Sequence, residues 1–168
     1  GLRNEVILIS AHYDHVGARG DDVFNGADDN GSGTTGLLGL AEALVAHGPL
    51  KRSVLLIWVS GEEKGLFGSQ AWAADPTLPD GMRPVCDLNV DMIGRNAPDR
   101  LGLTPSETHP EASFLSRIAR ELAPLEGFPL LESADEYYHR SDQAEFAGLG
   151  IPVCFLFAGE DGDYHRPS

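Results

Sequence analysis

An α/β fold with a mostly parallel central sheet follows from two regularities of the sequence. Short apolar runs rich in β-branched residues alternate with segments whose apolar positions recur at helical spacing, the order expected of βαβ units. Those runs are also apolar throughout rather than alternating with polar residues, as in strands covered on both faces. We therefore expect a three-layer αβα arrangement, the sheet lying between two layers of helices. At 168 residues, 42% of them hydrophobic, the chain suits a single domain, residues 1–168, with one core.

Residues 6–11 (VILISA) read as the first strand. From about residue 32 to 46, Leu37, Leu40, Ala41, Leu44 and Val45 follow the i, i+3, i+4, i+7, i+8 template of a helix with one buried face, and Gly48-Pro49 stops it. Residues 54–60 (VLLIWVS) form a second strand, and 66–74 a short helix ahead of Pro76. A third strand spans 85–91. In 111–122, Phe114, Leu115, Ile118 and Leu122 fall at helical spacing, and 151–157 closes the series as another continuous apolar strand. The stretches 17–33, 95–110 and 158–168, rich in Gly, Pro and Asp, read as loops.

Composition narrows the function classes. Twelve Lys+Arg against 26 Asp+Glu leave a formal charge of −14, which repels a phosphate backbone, and no basic cluster offsets it; no nucleic-acid partner is expected. The longest apolar run, 54–59, is strand-sized, far below the roughly 20 residues of a membrane span. Cys86 and Cys154 lack a CxxC or CxxH spacing, so they form no zinc ribbon. Each lies inside an apolar run and is expected as a buried thiol, a bridge between neighbouring strands being the alternative. The chain opens at Gly1 without initiator Met or basic segment, so a processed or trimmed start is expected.

The polar residues that matter fall at strand ends. His12 and Asp14 follow the first strand, Glu62-Glu63 the second, Asp91 ends the third, and His165 lies in the loop after the last. In an open α/β sheet, ligands bind outside the carboxyl ends of the strands, so residues scattered along the chain can converge there. His12-Tyr13-Asp14 suits a metal-bound imidazole held by a carboxylate two residues on, although an exposed His beside a surface Asp has the same spacing. The Gly-rich loop 25–33 (NGADDNGSG) leads into a helix like a phosphate cradle, yet its acidic and amide residues would repel phosphate and serve a cation. An Asx-rich turn capping the helix is the plainer reading of that loop.

Adjacent carboxylates at a buried strand end, as at Glu62-Glu63, repel each other unless a cation lies between, one ligating while the other moves a proton. Caps of the following turn would look alike. Asp91 interrupts an apolar strand and is costly without a partner, whereas His165 alone would pass for a surface residue. Jointly, His12, Asp29, Glu63, Asp91 and His165 offer two imidazoles and three carboxylates, a mixed set suited to zinc or its first-row neighbours. Five ligands exceed the need of one open tetrahedral site; two ions sharing a carboxylate fit better. With Asp14 and Glu62 the crevice carries about −5, and two divalent ions would return roughly +4.

The ordered motifs HYD (12–14), GADDNGSG (26–33), GEEKGLFGS (61–69), NVDMIG (89–94) and DYHRPS (163–168) together resemble the co-catalytic di-zinc exopeptidases of clan MH, which include bacterial secreted leucyl aminopeptidases and glutamate carboxypeptidase. The resemblance runs over almost the whole chain. It implies the zinc exopeptidase-like αβα fold and two Zn2+ ions bridged by Asp29 and a water or hydroxide. His12 and Asp91 would complete one site, Glu63 and His165 the other. It further implies that Asp14 orients His12, that Glu62 is the general base, that Tyr138, three residues before Ser141-Asp142, stabilises the oxyanion, and that the Asp29-Asn30 peptide is cis. Peptides with a free N-terminus are the implied substrates. Carboxypeptidase action, for which Arg95, Arg140 and Arg166 could hold a carboxylate, glutaminyl cyclase-like chemistry and a non-catalytic binding role are the alternatives. Family members have a helix before the first strand and continue past the last histidine, so this chain is expected to be a piece of the peptidase domain. Since such enzymes are often exported by bacteria, a secreted or periplasmic location is favoured.

Overall fold

The structure, a computed structural model, describes residues 1–167, with Leu130 by its backbone alone; Ser168, the last residue of the DYHRPS motif, lies outside the described residues. Strand β1 (Glu5–His12) is followed by a hairpin of β2 (Gly17–Arg19) and β3 (Asp22–Phe24), then helix α1 (Gly31–His47) and β4 (Ser53–Val59). Helix α2 (Phe67–Ala74) leads to β5 (Arg83–Val90) and β6 (Arg100–Thr104). Helix α3 (Phe114–Leu122), β7 (Leu130–Ser133), α4 (Gln143–Gly148) and β8 (Val153–Phe157) complete the order.

Six of the strands form one sheet in the order β4-β1-β5-β8-β6-β7. The first four run parallel; β6 is antiparallel to β8 and parallel to β7. The chain leaves β1 for β4 on one side and returns through β5 on the other, so the strand order reverses at β1, the switch point where ligand crevices open.

Alternate residues of each strand feed different layers, as the twofold strand period requires. Ile7, Ile9 and Ala11 of β1 pack with Leu37 of α1, and the same face continues through Cys86 and Cys154 to Leu115 of α3. Val6 and Leu8 face the other way, against Trp72 of α2 and Phe146 of α4. Both cysteines are free and buried, as two core thiols. The three-layer αβα expectation thus holds in its layers and mostly parallel sheet.

Several elements escaped the sequence pattern. β2 and β3, β6, β7 and α4 are short, and three of them, β2, β3 and β6, lie in stretches read as loops. On α1, Val45 is 83% exposed rather than buried, because only Leu37 of its stripe reaches the sheet fully. On α3, Leu115 is buried, whereas Phe114, Ile118 and Leu122 are exposed.

Candidate metal centre

The sheet order places the carboxyl ends of β4, β1, β5 and β8 side by side. His12 is the last residue of β1 and pairs in register with Val59, the last of β4. Glu62 and Glu63 begin a 3-10 turn just beyond β4, with Gly61 ahead of them at φ 81°. Asp91 follows β5, and His165 enters from the segment after β8, at φ 54°.

Asp29 comes from the loop ahead of α1, which its neighbours stitch to the end of β5. The Asn30 side chain donates to the Val90 carbonyl at 3.0 Å and accepts from the amides of Gly33 at 2.9 Å and Met92 at 3.3 Å, capping α1 in the process. A Cβ on Gly33 would stand 2.5 Å from the Val90 oxygen, so only glycine lets the helix start this close to β5. Asp28 accepts from the Gly94 amide at 2.8 Å, and the Asp29-Asn30 peptide is cis. Asp14 ties the ends of β1 and β4 together: its carboxylate accepts from the backbone amides of Glu62 at 3.2 Å and Glu63 at 3.4 Å. Behind Asp91, Ser141 donates to its Oδ2 at 2.9 Å and receives the Asn89 amide at the same distance.

Within this frame the two oxygens of Asp29 divide. Oδ1 lies 3.4 Å from His12 Nε2, which is also 3.3 Å from Asp91 Oδ1 and 4.0 Å from Glu62 Oε2. Oδ2 lies 3.0 Å from His165 Nε2, which is also 3.1 Å from Glu63 Oε2. His12 Nδ1 faces the Asp14 carbonyl at 3.1 Å, so Nδ1–H donates there and Nε2 is the ring atom turned toward the carboxylates. His12 Nε2, His15 Nδ1, Glu63 Oε1 and Asp91 Oδ1 are all buried without a hydrogen-bond partner. These orphaned atoms fall into two groups, His12 with Asp91 and His15 with Glu63, as bound cations would satisfy.

The electrostatics agree. Burial works to lower the His12 pKa, but Asp29 and Asp91 outweigh it and raise it to about 12. Burial, reinforced by Asp91, pushes Glu62 up to about 8, and burial with Asp29 takes Glu63 to about 7. Burial alone would raise Asp29, yet His12 carries it below the usual range. His15 is lowered, chiefly by burial. Without a metal charge, the cluster balances its carboxylates by holding protons.

The residues expected at the centre, His12, Asp14, Asp29, Glu62, Glu63, Asp91 and His165, are thus in or directly behind one cluster. Tyr138 is not among its contacts. It is 5% exposed in the core with Val6, Leu8, Trp72 and Phe146, its ring 4.4 Å from that of His109. The residue that sequence reasoning missed is His15, 2.8 Å from Glu63 Oε1; its spacing of three from His12 was the available signal. Tyr164, stacked on His165 at 4.0 Å, was also passed over. A cleft of about 310 Å³ opens beside the cluster, lined in part by His15, Asp29, Tyr164, His165 and Arg166. Of the three cations weighed for a substrate carboxylate, Arg95 is engaged by Asp161 and Asp163 and Arg140 by Glu160.

The sequence pattern of Peptidase family M28 matches residues 1–168. A "Probable leucine aminopeptidase" of Trichophyton verrucosum is 28% identical over 179 residues, covering 99% of this chain and 48% of its own length. The chain therefore spans about half the length of that curated relative. Among solved structures, a zinc aminopeptidase from Bacillus subtilis superposes with a TM-score of 0.79 at 24% identity, covering 98% of this chain and 40% of that one. A glutaminyl cyclase of Bacteroides thetaiotaomicron superposes with a TM-score of 0.79 at 18% identity, covering 98% and 65%. Both share the fold. Among the described residues no helix is long and apolar enough to cross a membrane.

Proposed function

The chain belongs to peptidase family M28, and from that premise we propose that it serves metal-dependent hydrolysis of the N-terminal peptide bond of peptides. Two zinc ions would be held by His12, Asp29 and Asp91 on one side and by Asp29, Glu63 and His165 on the other. The observation that carries this reading is the division of the Asp29 carboxylate between two sets of buried donor atoms, several of them unpartnered. Zinc bound there would supply Lewis acidity, bringing the pKa of a coordinated water toward neutrality and polarising the scissile carbonyl.

Glu62 is the proton carrier in this proposal. Its carboxylate faces the His12 side of the cluster, and burial holds it up at about 8. A divalent charge nearby would lower it, so that Glu62 takes up a proton from the attacking water and returns it to the leaving amine near neutral pH. Asp14 acts through others: it fixes the turn that presents Glu62 and Glu63 and orients His12. The acidic surroundings attract an α-ammonium group, which selects N-termini over internal bonds. Tyr138 would stabilise the oxyanion by its place in the motif, its ring being packed in the core with Trp72 and Phe146.

The test is elemental analysis of the full-length protein purified without chelator, paired with hydrolysis of free and N-acetylated aminoacyl amides. About two zincs per chain and cleavage of only the free-amine substrates are expected. Arg166 lines the same cleft, so release of C-terminal residues from N-blocked peptides would assign a carboxypeptidase instead. Ring closure of N-terminal glutaminyl peptides would assign a cyclase, and a protein without zinc would leave a binding role.

A further inference from the structure

His15 stands on the turn leaving β1, three residues after His12, with its side chain 12% exposed. Its Nδ1 is 2.8 Å from Glu63 Oε1 and 3.8 Å from Asp29 Oδ2. The closer pair is within hydrogen-bond distance but out of alignment, and both atoms are buried without a hydrogen-bond partner. Two buried polar atoms this close, neither with a hydrogen-bond partner, call for a proton or a cation between them. His165 approaches the same two carboxylates from the other side, its ring edge-on to that of His15 at 5.6 Å. One donor atom from each of His15, Asp29, Glu63 and His165 lies within 4.8 Å of all the others. Donors at 2.0–2.1 Å from a tetrahedral zinc stand roughly 3.3 Å from one another; the two rings meet the two carboxylates at 2.8 to 3.8 Å, His15 on Oε1 of Glu63 and His165 on Oε2. Room for the His15 ring is built in: a Cβ on Gly26 would lie 2.6 Å from its Cγ.

We propose that His15 is a fourth protein ligand of the ion held by Asp29, Glu63 and His165, so that the two halves of the centre are unequal. This rests on the two-ion reading above. The His15 half is closed by two imidazoles and two carboxylates, the pattern of a structural site. The His12 half has His12, Asp29 and Asp91, with Glu62 alongside, and keeps the open position that water and substrate need. The closed half fills first, and the open half carries the chemistry.

The test reads metal binding itself. The full-length metal-free protein is titrated with Co2+, whose visible absorption is intense in a tetrahedral field and weak in a six-coordinate one. The first equivalent should give the intense band in wild type. In His15→Gln that band should fade and the tight equivalent weaken by about 100-fold, while His12→Gln should spare it and weaken the second. Independently, Zn2+ titration of wild type labelled with 15N-histidine should shift His15 Nδ1 together with His165 Nε2 at the first equivalent, a result that needs no variant. A His15→Gln protein with wild-type affinities and spectrum, or a His15 resonance that stays in place while His165 moves, would overturn the His15 assignment and leave the centre standing. Wild type that binds neither ion would remove both readings.

Discussion

Asn30 is the residue through which the architecture can be tested most directly. It is 1% exposed, and its side chain joins the Asp29 loop, the start of α1 and the end of β5 through three hydrogen bonds. Asn30→Ala removes a helix cap, a loss of about 1 kcal/mol, and leaves the Val90 carbonyl and the Met92 amide short of a buried partner at about 1–3 kcal/mol each. The total is roughly 3–7 kcal/mol, a large part of the 5–15 kcal/mol typical of a domain. With a urea slope of about 2 kcal/mol/M, the unfolding midpoint falls by about 1.5–3.5 M. The measurement is made in chelator, so that bound metal does not hide the loss by mass action. Asn30→Asp serves as a partner variant, because it keeps the acceptor facing Gly33 and Met92 but sets a carboxylate oxygen against the Val90 carbonyl; it should lose only part as much. A midpoint shift below about 0.5 M for Asn30→Ala, at unchanged slope, would refute the claim that this side chain holds the loop.

Glu62→Gln is expected to keep its metal content and lose about 10²–10⁴-fold in turnover; near-normal hydrolysis would remove Glu62 from the proton-carrier role. Asp14→Asn should weaken zinc by about 10–100-fold in a chelator competition, because the amides of Glu62 and Glu63 lose a charged acceptor; unchanged affinity would mean that the turn holds itself. The metal-free protein should lose stability as pH rises from about 4.5 to 8. Glu62 and Glu63 hold protons in the fold up to about 8 and 7, whereas the unfolded chain releases them from about 4.5, and His12, raised to about 12, adds the same sign above 6.5. Metal must displace those protons, so its affinity should climb through the same window. Urea midpoints at pH 5 and 8.5 in chelator decide the matter, and a flat or rising trend would contradict the assignment.

What was legible in the sequence was legible for a physical reason. Central parallel strands are covered on both faces, so 6–11 and 54–60 announce themselves as unbroken apolar runs. β6 and β7 lie at the far side of the sheet and are short; Gly102 in β6 allows close approach to Phe157 but contributes no apolar signal. The candidate ligands at strand ends stand out because a charge beside a buried strand needs an explanation. His15 was not, since nothing about a histidine on a turn shows that Gly26, eleven residues on, leaves space for its ring above Glu63. Tyr138 is hard to place for the converse reason: a phenol fits a core as readily as a crevice, and the choice depends on how the turn after β7 rolls against α2 and α4.

The breadth of chain from which the centre draws its groups has a kinetic consequence. His165 meets Asp29 across a separation of 136 residues, and His12 and Asp91 meet only after β5 has been laid beside β1. Contacts of such long range form late, because the entropy of closing large loops opposes them until the intervening elements have docked. No early folding segment can hold an ion in this arrangement, so metal cannot nucleate the structure as it does in a zinc finger. It would act instead as a latch, engaged only after the last strand is in place and slowing the reverse opening of the whole sheet.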